Sequence, residues 1–479
     1  MRRRSAALIA PKTAPVETWT PRPDLIAQLA TAPGEAALAV IRVSGPGARE
    51  LLECVFRPRG RAPQLVGTTR VGEVVDPASG EALDEAVAVW YEEGRSYTGE
   101  EMAEISCHGG HAIVRDVLSL LCREGARPAG PGEFTKRAYL NGRLDLAQAE
   151  AVCDLIRSRS EAAARASLRQ LKGGLSERIK PIRDRLVELA AEVEVTLDFP
   201  DEDPASLTSE ELGERCDPLL NALYRLLAEA PIGRTVRDGV TVALIGRPNT
   251  GKSSLLNALL SRDRAIVTAM PGTTRDTLEE WTELGGIPVR LVDTAGLRAP
   301  DTEVETLGIE RADRALAECD IAVAVFDGSE PATDDDDLVL DRMRAKGGSW
   351  LACVNKSDLA ERLVLPDLAA AERGYCGTVH TCALSSEGTR PLAVALEGVL
   401  RSDDVDPAEV VLTSERHAEC VRRAATAAER AVGAAARGLP VDLAVLDVRE
   451  AAECLDELLG GATTEDMIEV IFSRFCLGK

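Results

Sequence analysis

Apolar positions early in the chain come in short runs. Between about Asp24 and Asn141 they cover Ala36 to Ser44, Glu85 to Tyr91 and Glu101 to Cys107, while Ala112 to Arg123 has the recurrence of an amphipathic helix. Runs of this length bounded by turn residues pack as strands, so the spacing predicts a small α+β domain over 23–141. From Leu144 to about Glu229 the period becomes helical, in long Ala-, Leu-, Glu- and Arg-rich segments broken at Gly173-Gly174 and at Pro200. Backbone freedom at glycine and the missing N–H of proline end helices there. The same character returns beyond about residue 405, through Cys420 to Gly438 and Asp442 to Leu459. Between these flanks apolar strand runs alternate with helices, the pattern of a doubly wound, mostly parallel sheet.

The predicted architecture is therefore multidomain α/β. Residues 1–22 are expected to be a disordered extension, 23–141 the α+β domain, 142–235 a first helical part, 236–400 an inserted P-loop domain, and 401–479 a second helical part. Insertion is compatible with folding because the ends of a compact domain often lie close together on its surface. At 479 residues the chain also exceeds what one hydrophobic core serves.

Composition narrows the function. Apolar residues make up 45% and charged ones 28%, as in a folded globular protein. No run approaches the roughly 20 apolar residues of a membrane span, so the chain is expected to be cytoplasmic and free of membrane. Its twelve cysteines are scattered without metal-ligand spacing, which predicts reduced thiols and no zinc. The formal charge of −23 repels polyanions, so a nucleic-acid role needs a local basic patch or a basic partner. One helix-like run, about 146 to 172, would place Arg157, Arg165, Arg169 and Lys172 within a third of a helix circumference, as a solvated charged face or as such a patch.

The chemistry is concentrated in the central block. Thr241 to Ile245 is a buried-strand pattern that feeds Gly246-Arg247-Pro248-Asn249-Thr250-Gly251-Lys252-Ser253, and a helical stretch begins near Ser254. This is GxxxxGK[ST] in its strand-loop-helix context. Its glycines let N–H groups wrap phosphates, the helix start adds positive partial charge, Lys252 reaches the outer phosphates, and Ser253 ligates Mg²⁺. Asp293-Thr294-Ala295-Gly296 follows the run Val289 to Val292, which puts Asp293 at a strand end near Mg²⁺ and the Gly296 N–H where a γ-phosphate can be sensed. Asn355-Lys356-Ser357-Asp358 follows Trp350 to Val354. The Asp358 carboxylate can accept from both the ring N–H and the exocyclic amine of guanine, and adenine offers no such pair. Ser385 belongs to the loop expected over the guanine oxygen. The segment Thr268-Ala269-Met270-Pro271-Gly272-Thr273-Thr274 carries the remaining switch, with Thr274 as second Mg²⁺ ligand.

Many small GTPases place glutamine after Asp-x-x-Gly to orient the attacking water, and here Leu297 stands in its place. Another group must position the water; Glu303 and Glu305 lie a few residues downstream.

Outside the GTPase motifs the chain carries Ala39-Val40-Ile41-Arg42-Val43-Ser44-Gly45, Tyr97-Thr98-Gly99-Glu100-Glu101, Cys107-His108-Gly109-Gly110, the run from Pro131 to Ala151 that includes Asn141-Gly142-Arg143, and the terminal Phe475-Cys476-Leu477-Gly478-Lys479. With these the chain resembles the bacterial tRNA-modification GTPase family known as MnmE or TrmE, from about Asp24 to Lys479. The resemblance implies a Ras-like GTPase domain and a homodimer whose N-terminal domains bind 5,10-methylene- or 5-formyl-tetrahydrofolate. It implies joint action with the flavin-dependent partner MnmG (GidA), which carries the FAD, on the wobble uridine of tRNA. Carried over by position, Arg42, Glu104, Arg143 and Lys479 would contact folate. Asn249 with oxygens of Thr268, Met270 and Thr273 would hold K⁺, Glu305 would organise the water, and Cys476 would lie near the one-carbon unit. The chain departs from the family pattern at Gly34-Glu35-Ala36, where a Gly-x-Gly is usual, around Ser385, where the guanine loop is short, and at Arg143, where lysine is common. A GTPase switch in ribosome assembly would fit the central block equally well, yet it leaves the N-terminal motifs and the tail unexplained.

Overall fold

A computed structural model describes residues 24–60, 66–198, 207–263, 280–293, 314–366, 368, 373–385, 387–400, 406–461, 464–475 and 478–479. These fall into two compact units, one within Met1–Leu144 and Thr463–Lys479, the other within Asp145–Ala462.

The first unit is a seven-stranded sheet built from β1 (Ile26–Leu29), β2 (Ala36–Ser44), β3 (Phe56–Pro58), β4 (Arg70–Val75), β5 (Ala82–Tyr91), β6 (Met102–Gly109) and β7 (Arg127–Pro128), in the order β3-β4-β5-β6-β2-β1-β7. All neighbours are antiparallel except β1 and β7. Alternation along β2 decides what each face holds. Ala39, Ile41 and Val43 enter a core with Ile105, Leu52, Leu120 and Leu121 from β6 and the helices Ala48–Val55 and His111–Arg123. Period two then turns Arg42 to the opposite face, where its register partner is Glu104.

The sequence grouped 401–479 as one helical part, but the last helix, Glu465–Ser473, packs in this first unit against the helix Glu133–Leu140. Aromatic burial is the reason: Phe472 and Phe475 are nearly covered, Tyr139 lies 6.3 Å from the Phe472 ring, and Gly132, at φ 65°, leaves room for Phe475.

In the second unit the helices Gly174–Asp198, Ser209–Asp238, Glu415–Ala436 and Val441–Leu459 share one core of Leu186, Leu189, Leu212, Leu223, Val421, Ala424, Ala428 and Leu455. Small residues on Glu415–Ala436 let its neighbours approach closely, so segments before and after the P-loop block form one helical body. The run from 146 to 172 is not one helix. It divides into Leu146–Arg157 and Glu161–Leu171, because Ser160 caps the second helix by accepting from the Ala163 N–H at 3.1 Å. Arg157 therefore does not share a helix face with Arg165 and Arg169, and the four cations do not line one helix.

Within the same unit lies a six-stranded sheet of β8 (Val240–Ile245), β9 (Glu280–Leu284), β10 (Ile287–Asp293), β11 (Ile321–Asp327), β12 (Trp350–Asn355) and β13 (Tyr375–His380), ordered β13-β12-β11-β8-β10-β9. Only β9 runs antiparallel to its neighbour. The helices Lys252–Asp263 and Arg390–Leu400 cover one face and Asp334–Lys346 the other. This is the doubly wound P-loop domain that the sequence predicts. Among the described residues, no helix is long and apolar enough to cross a membrane.

Candidate nucleotide-binding site

β8 is buried on both faces and ends where the parallel strands of an open α/β sheet present their loops, the usual ligand edge of such folds. The loop that follows is held by close backbone packing. A Cβ on Gly246 would collide with the Val325 carbonyl oxygen, and one on Gly251, at φ 93°, would collide with Asn355 Nδ2. Two non-glycine residues among those described adopt positive φ: Asn249 at 64° and Lys356 at 63°. Both belong to the sequence-predicted nucleotide loops, where strained backbone is often retained for function.

Side chains fasten these loops to each other. Asn355, 1% exposed, donates from Nδ2 to the Thr250 carbonyl at 2.8 Å and accepts from Thr381 Oγ1 at 3.3 Å. Lys356 Nζ donates to Asp327 Oδ2 at 2.5 Å. Burial works to raise the Asp327 pKa, but the Lys356 ammonium and the Ser329 donors outweigh it and hold the carboxyl below its ordinary value. Asp358 is exposed, so its carboxylate remains accessible to a base, and Ser385 Oγ accepts from the Gly388 N–H at 3.1 Å.

Lys252 is 5% exposed and donates from Nζ to the Gly246 and Arg247 carbonyls at 2.8 and 2.7 Å. Burial pushes its ammonium below the usual lysine value, against the opposing pull of Asp293. With Ser253 and Ser254 it forms the first turn of the helix Lys252–Asp263, whose free N–H groups and dipole favour phosphate. Ser253 Oγ donates to Asp293 Oδ2 at 2.5 Å. A hydroxyl and a carboxylate brought together in this way are hard oxygen donors, the set that Mg²⁺ takes alongside phosphate oxygens.

The structure thus brings Asn249, Thr250, Gly251, Lys252, Ser253, Ser254, Asp293, Asn355, Lys356, Asp358 and Ser385 to the loops at one edge of the sheet. Thr268 to Thr274, Thr294, Ala295, Gly296, Glu303, Glu305 and Cys476 lie outside the described residues. Asp327 and Thr381 were not read from the sequence. The only signal was an aspartate closing the apolar run Ile321 to Phe326, which names no partner.

In the first unit Arg42 donates from Nε and Nη2 to Glu104 Oε1 at 2.9 and 2.7 Å. Its guanidinium also lies 4.9 Å from the Tyr97 ring centre and 5.6 Å from that of Phe134. The third nitrogen, Nη1, is buried without a hydrogen-bond partner. Such a donor is costly to leave unpaired. Arg143 donates to the Gly94 carbonyl at 3.2 Å and packs over Gly99, in the same turn as Tyr97. Lys479 follows Gly478, whose backbone lies against Leu29 and Ala30 at the end of β1. Arg42 and Glu104 touch; Arg143 is bonded to the turn beside it, and the backbone just before Lys479 lies against the end of β1.

Two family models match this chain: MnmE helical domain over residues 146–476, and GTP-binding protein TrmE N-terminus over 25–143. It is 40% identical over 465 residues to the tRNA modification GTPase MnmE of Heliobacterium modesticaldum, covering 95% of this chain and 99% of that protein. To the tRNA modification GTPase MnmE of Carboxydothermus hydrogenoformans it is 41% identical over 462 residues, with 95% and 99% covered. Among solved structures, the FeoB G-domain of Methanococcus jannaschii aligns at 22% identity over 34% of this chain and 98% of its own, with a TM-score of 0.25.

Proposed function

This chain belongs to the tRNA modification GTPase MnmE family, and from that premise we propose that it is a K⁺-stimulated GTP hydrolase. It acts in the cytoplasm as a homodimer with a flavin-dependent partner of the MnmG (GidA) kind. Together they install a carboxymethylaminomethyl-type group at C5 of the wobble uridine of certain tRNAs. The carbon comes from a one-carbon tetrahydrofolate, and GTP turnover drives the conformational cycle.

Each residue has a part that its chemistry suits. Lys252, held by the Gly246 and Arg247 carbonyls, reaches the β- and γ-phosphate oxygens, Ser253 and Thr274 hold Mg²⁺, and Asp358 reads guanine. Asn249, with oxygens of Thr268, Met270 and Thr273, holds K⁺, whose charge stands in for an arginine finger, and Glu305 organises the water. Arg42, Glu104, Arg143 and Lys479 contact the folate, Lys479 suiting its carboxylates and Glu104, paired to Arg42, its pterin donors. Cys476 lies near the one-carbon unit.

The observation that carries the reading is the Arg42 site: a buried guanidinium flanked by two rings, paired to a carboxylate on one side and with Nη1 unsatisfied on the other. A nucleotide switch has no use for such a site in a separate unit, whereas a folate with planar pterin and acidic tail supplies the missing acceptor. The test is nucleoside analysis of tRNA from cells lacking this chain, complemented by the wild type or by Arg42→Met. Loss of the wobble modification in the deletion, restored by the wild type and not by Arg42→Met, is expected. Full modification without the chain overturns the proposal.

A further inference from the structure

The turn after β11 reaches both nucleotide loops. Asp327 takes Lys356 of the base-reading loop, and a few residues on, Glu330 and Asp336 take Arg247, the second residue of the phosphate loop. Arg247 Nη2 lies 2.7 Å from Glu330 Oε2, and its Nε lies 3.3 Å from Asp336 Oδ1.

The two carboxylates are not equivalent. The Glu330 side chain is 57% exposed, so its pairing is screened by water and worth little. Asp336 is 1% exposed. Its Oδ2 completes a helix cap, accepting from the Thr333 N–H at 3.0 Å and from Thr333 Oγ1 at 2.9 Å. Its Oδ1 has no hydrogen-bond partner, and neither has the Arg247 Nε that faces it. A buried negative oxygen and a buried positive N–H thus face one another, and removing either leaves the other uncompensated. The main chain of the same arginine is equally committed. Its carbonyl accepts from Lys252 Nζ at 2.7 Å and from Thr250 Oγ1 at 3.1 Å.

We propose that Arg247 is a positioning residue of the phosphate loop, clamped by Asp336 so that the carbonyl holding Lys252 stays aimed into the loop. The start of the helix Asp334–Lys346 then sets the loop's shape before nucleotide arrives. A loop held in its binding conformation loses less freedom on binding, so the clamp acts on affinity. Once nucleotide is bound, the phosphates hold the loop themselves and the chemical step proceeds as before.

The inference rests on the chain binding guanine nucleotide and on nothing about tRNA. GDP binding by the unaltered protein therefore separates a failure of that premise from a failure of the clamp. In the full-length protein, Arg247→Met keeps the aliphatic stem and removes the guanidinium. Asp336→Asn keeps an oxygen for the Thr333 cap and removes the charge. Each is expected to weaken GDP binding and raise KM for GTP by about tenfold, or about 1.4 kcal/mol. kcat at saturating GTP should stay within about twofold, the signature of lost binding rather than lost transition-state contacts. The double variant should be no worse than either single one, and Arg247→Lys should recover part of the loss. Additive effects in the double variant, or unchanged affinity in folded single variants, overturn the clamp. If Asp336→Asn does not fold, the contrast between Arg247→Met and Arg247→Lys decides: equal affinities of the two reject a role for the charge.

Discussion

Asp358 and Lys356 stand two positions apart in one motif and are held very differently. Lys356 sits at φ 63° with its ammonium on Asp327, while Asp358 stays exposed, its carboxylate left for a ligand. That division predicts the outcome of a change at Asp358. An Asp358→Asn amide can donate where the carboxylate only accepts, so it opposes the donors of guanine and suits the extra carbonyl of xanthine. GDP affinity should fall by about 1.5–3 kcal/mol per charged hydrogen bond lost, with XDP gaining, as read by titration calorimetry. A variant that still prefers GDP would remove Asp358 from base recognition. The residues assigned to ligand contact could be chosen from the sequence because phosphate and guanine impose residue types at fixed spacing. The residues that hold them could not. Nothing in the order of the chain joins Asp327 to Lys356, Thr381 to Asn355 or Asp336 to Arg247; the strand order, with β11 between β8 and β12 and β13 beside β12, brings them together.

One strand was legible to the residue: the run Ala36 to Ser44 is β2, and its period two already places Arg42 opposite the core, while β5 and β6 differ from the runs Glu85 to Tyr91 and Glu101 to Cys107 by up to three residues at an end. The long helical run was misread where a side chain, not the apolar period, makes the boundary. Ser160 turns one expected helix into two, and the pair is then joined by charge rather than by continuous backbone. Glu150 on Leu146–Arg157 accepts from Arg416 Nε and Nη2, both at 2.8 Å, and pairs with His417 Nε2, while Gln170 on Glu161–Leu171 lies 3.1 Å from His417 Nδ1. Burial works to raise the Glu150 pKa, yet His417 and Arg416 outweigh it and lower the carboxyl to about 2. Asp154, one turn on, moves the other way: burial raises it in spite of Arg237 at 2.9 Å. A carboxyl with a depressed folded pKa stabilises fully above its unfolded value, and that contribution is lost as pH falls through the folded one. Glu150→Gln should therefore cost about 3–5 kcal/mol at neutral pH, the scale for stranding the buried Arg416 guanidinium. Its gap from the wild type should close as pH falls from about 4.5 towards about 2. Chemical denaturation of both proteins across that range measures it, and a gap independent of pH would mean that Glu150 contributes through packing alone.

At the scale of the whole molecule, the change of hydrophobic period predicted an interrupted helical body, and one core that collects helices from both sides of the P-loop block agrees with it. The end of the chain followed a different rule. Gly132 and Phe475 are too far apart in sequence for periodicity to link them, so the return of the last helix to the first unit had no local signal. Its consequence is specific. Chain ends are ordinarily frayed and tolerate trimming, but Gly478 has φ 87° and lies so close to Leu29 that a Cβ would collide with the Leu29 carbonyl oxygen. A terminus fitted in this way against β1 fixes where Lys479 begins. Among the described residues, those assigned to the phosphate, guanine and Mg²⁺ sites all lie within Asp145–Ala462. Deleting residues 478 and 479 should therefore leave GTP hydrolysis near the wild-type rate. Phe475, 7% exposed, must be kept, since losing its ring would unpack the last helix and obscure the result. Under the folate reading the same deletion should abolish wobble-uridine modification in cells, and Lys479→Ala should lower it without shifting the thermal midpoint of the purified protein. Hydrolysis assays, melting curves and tRNA nucleoside analysis on the same variants separate the possibilities. Normal modification by a protein lacking Gly478 and Lys479 would show that the fitted terminus only closes the sheet edge, and the folate site would have to be built without it.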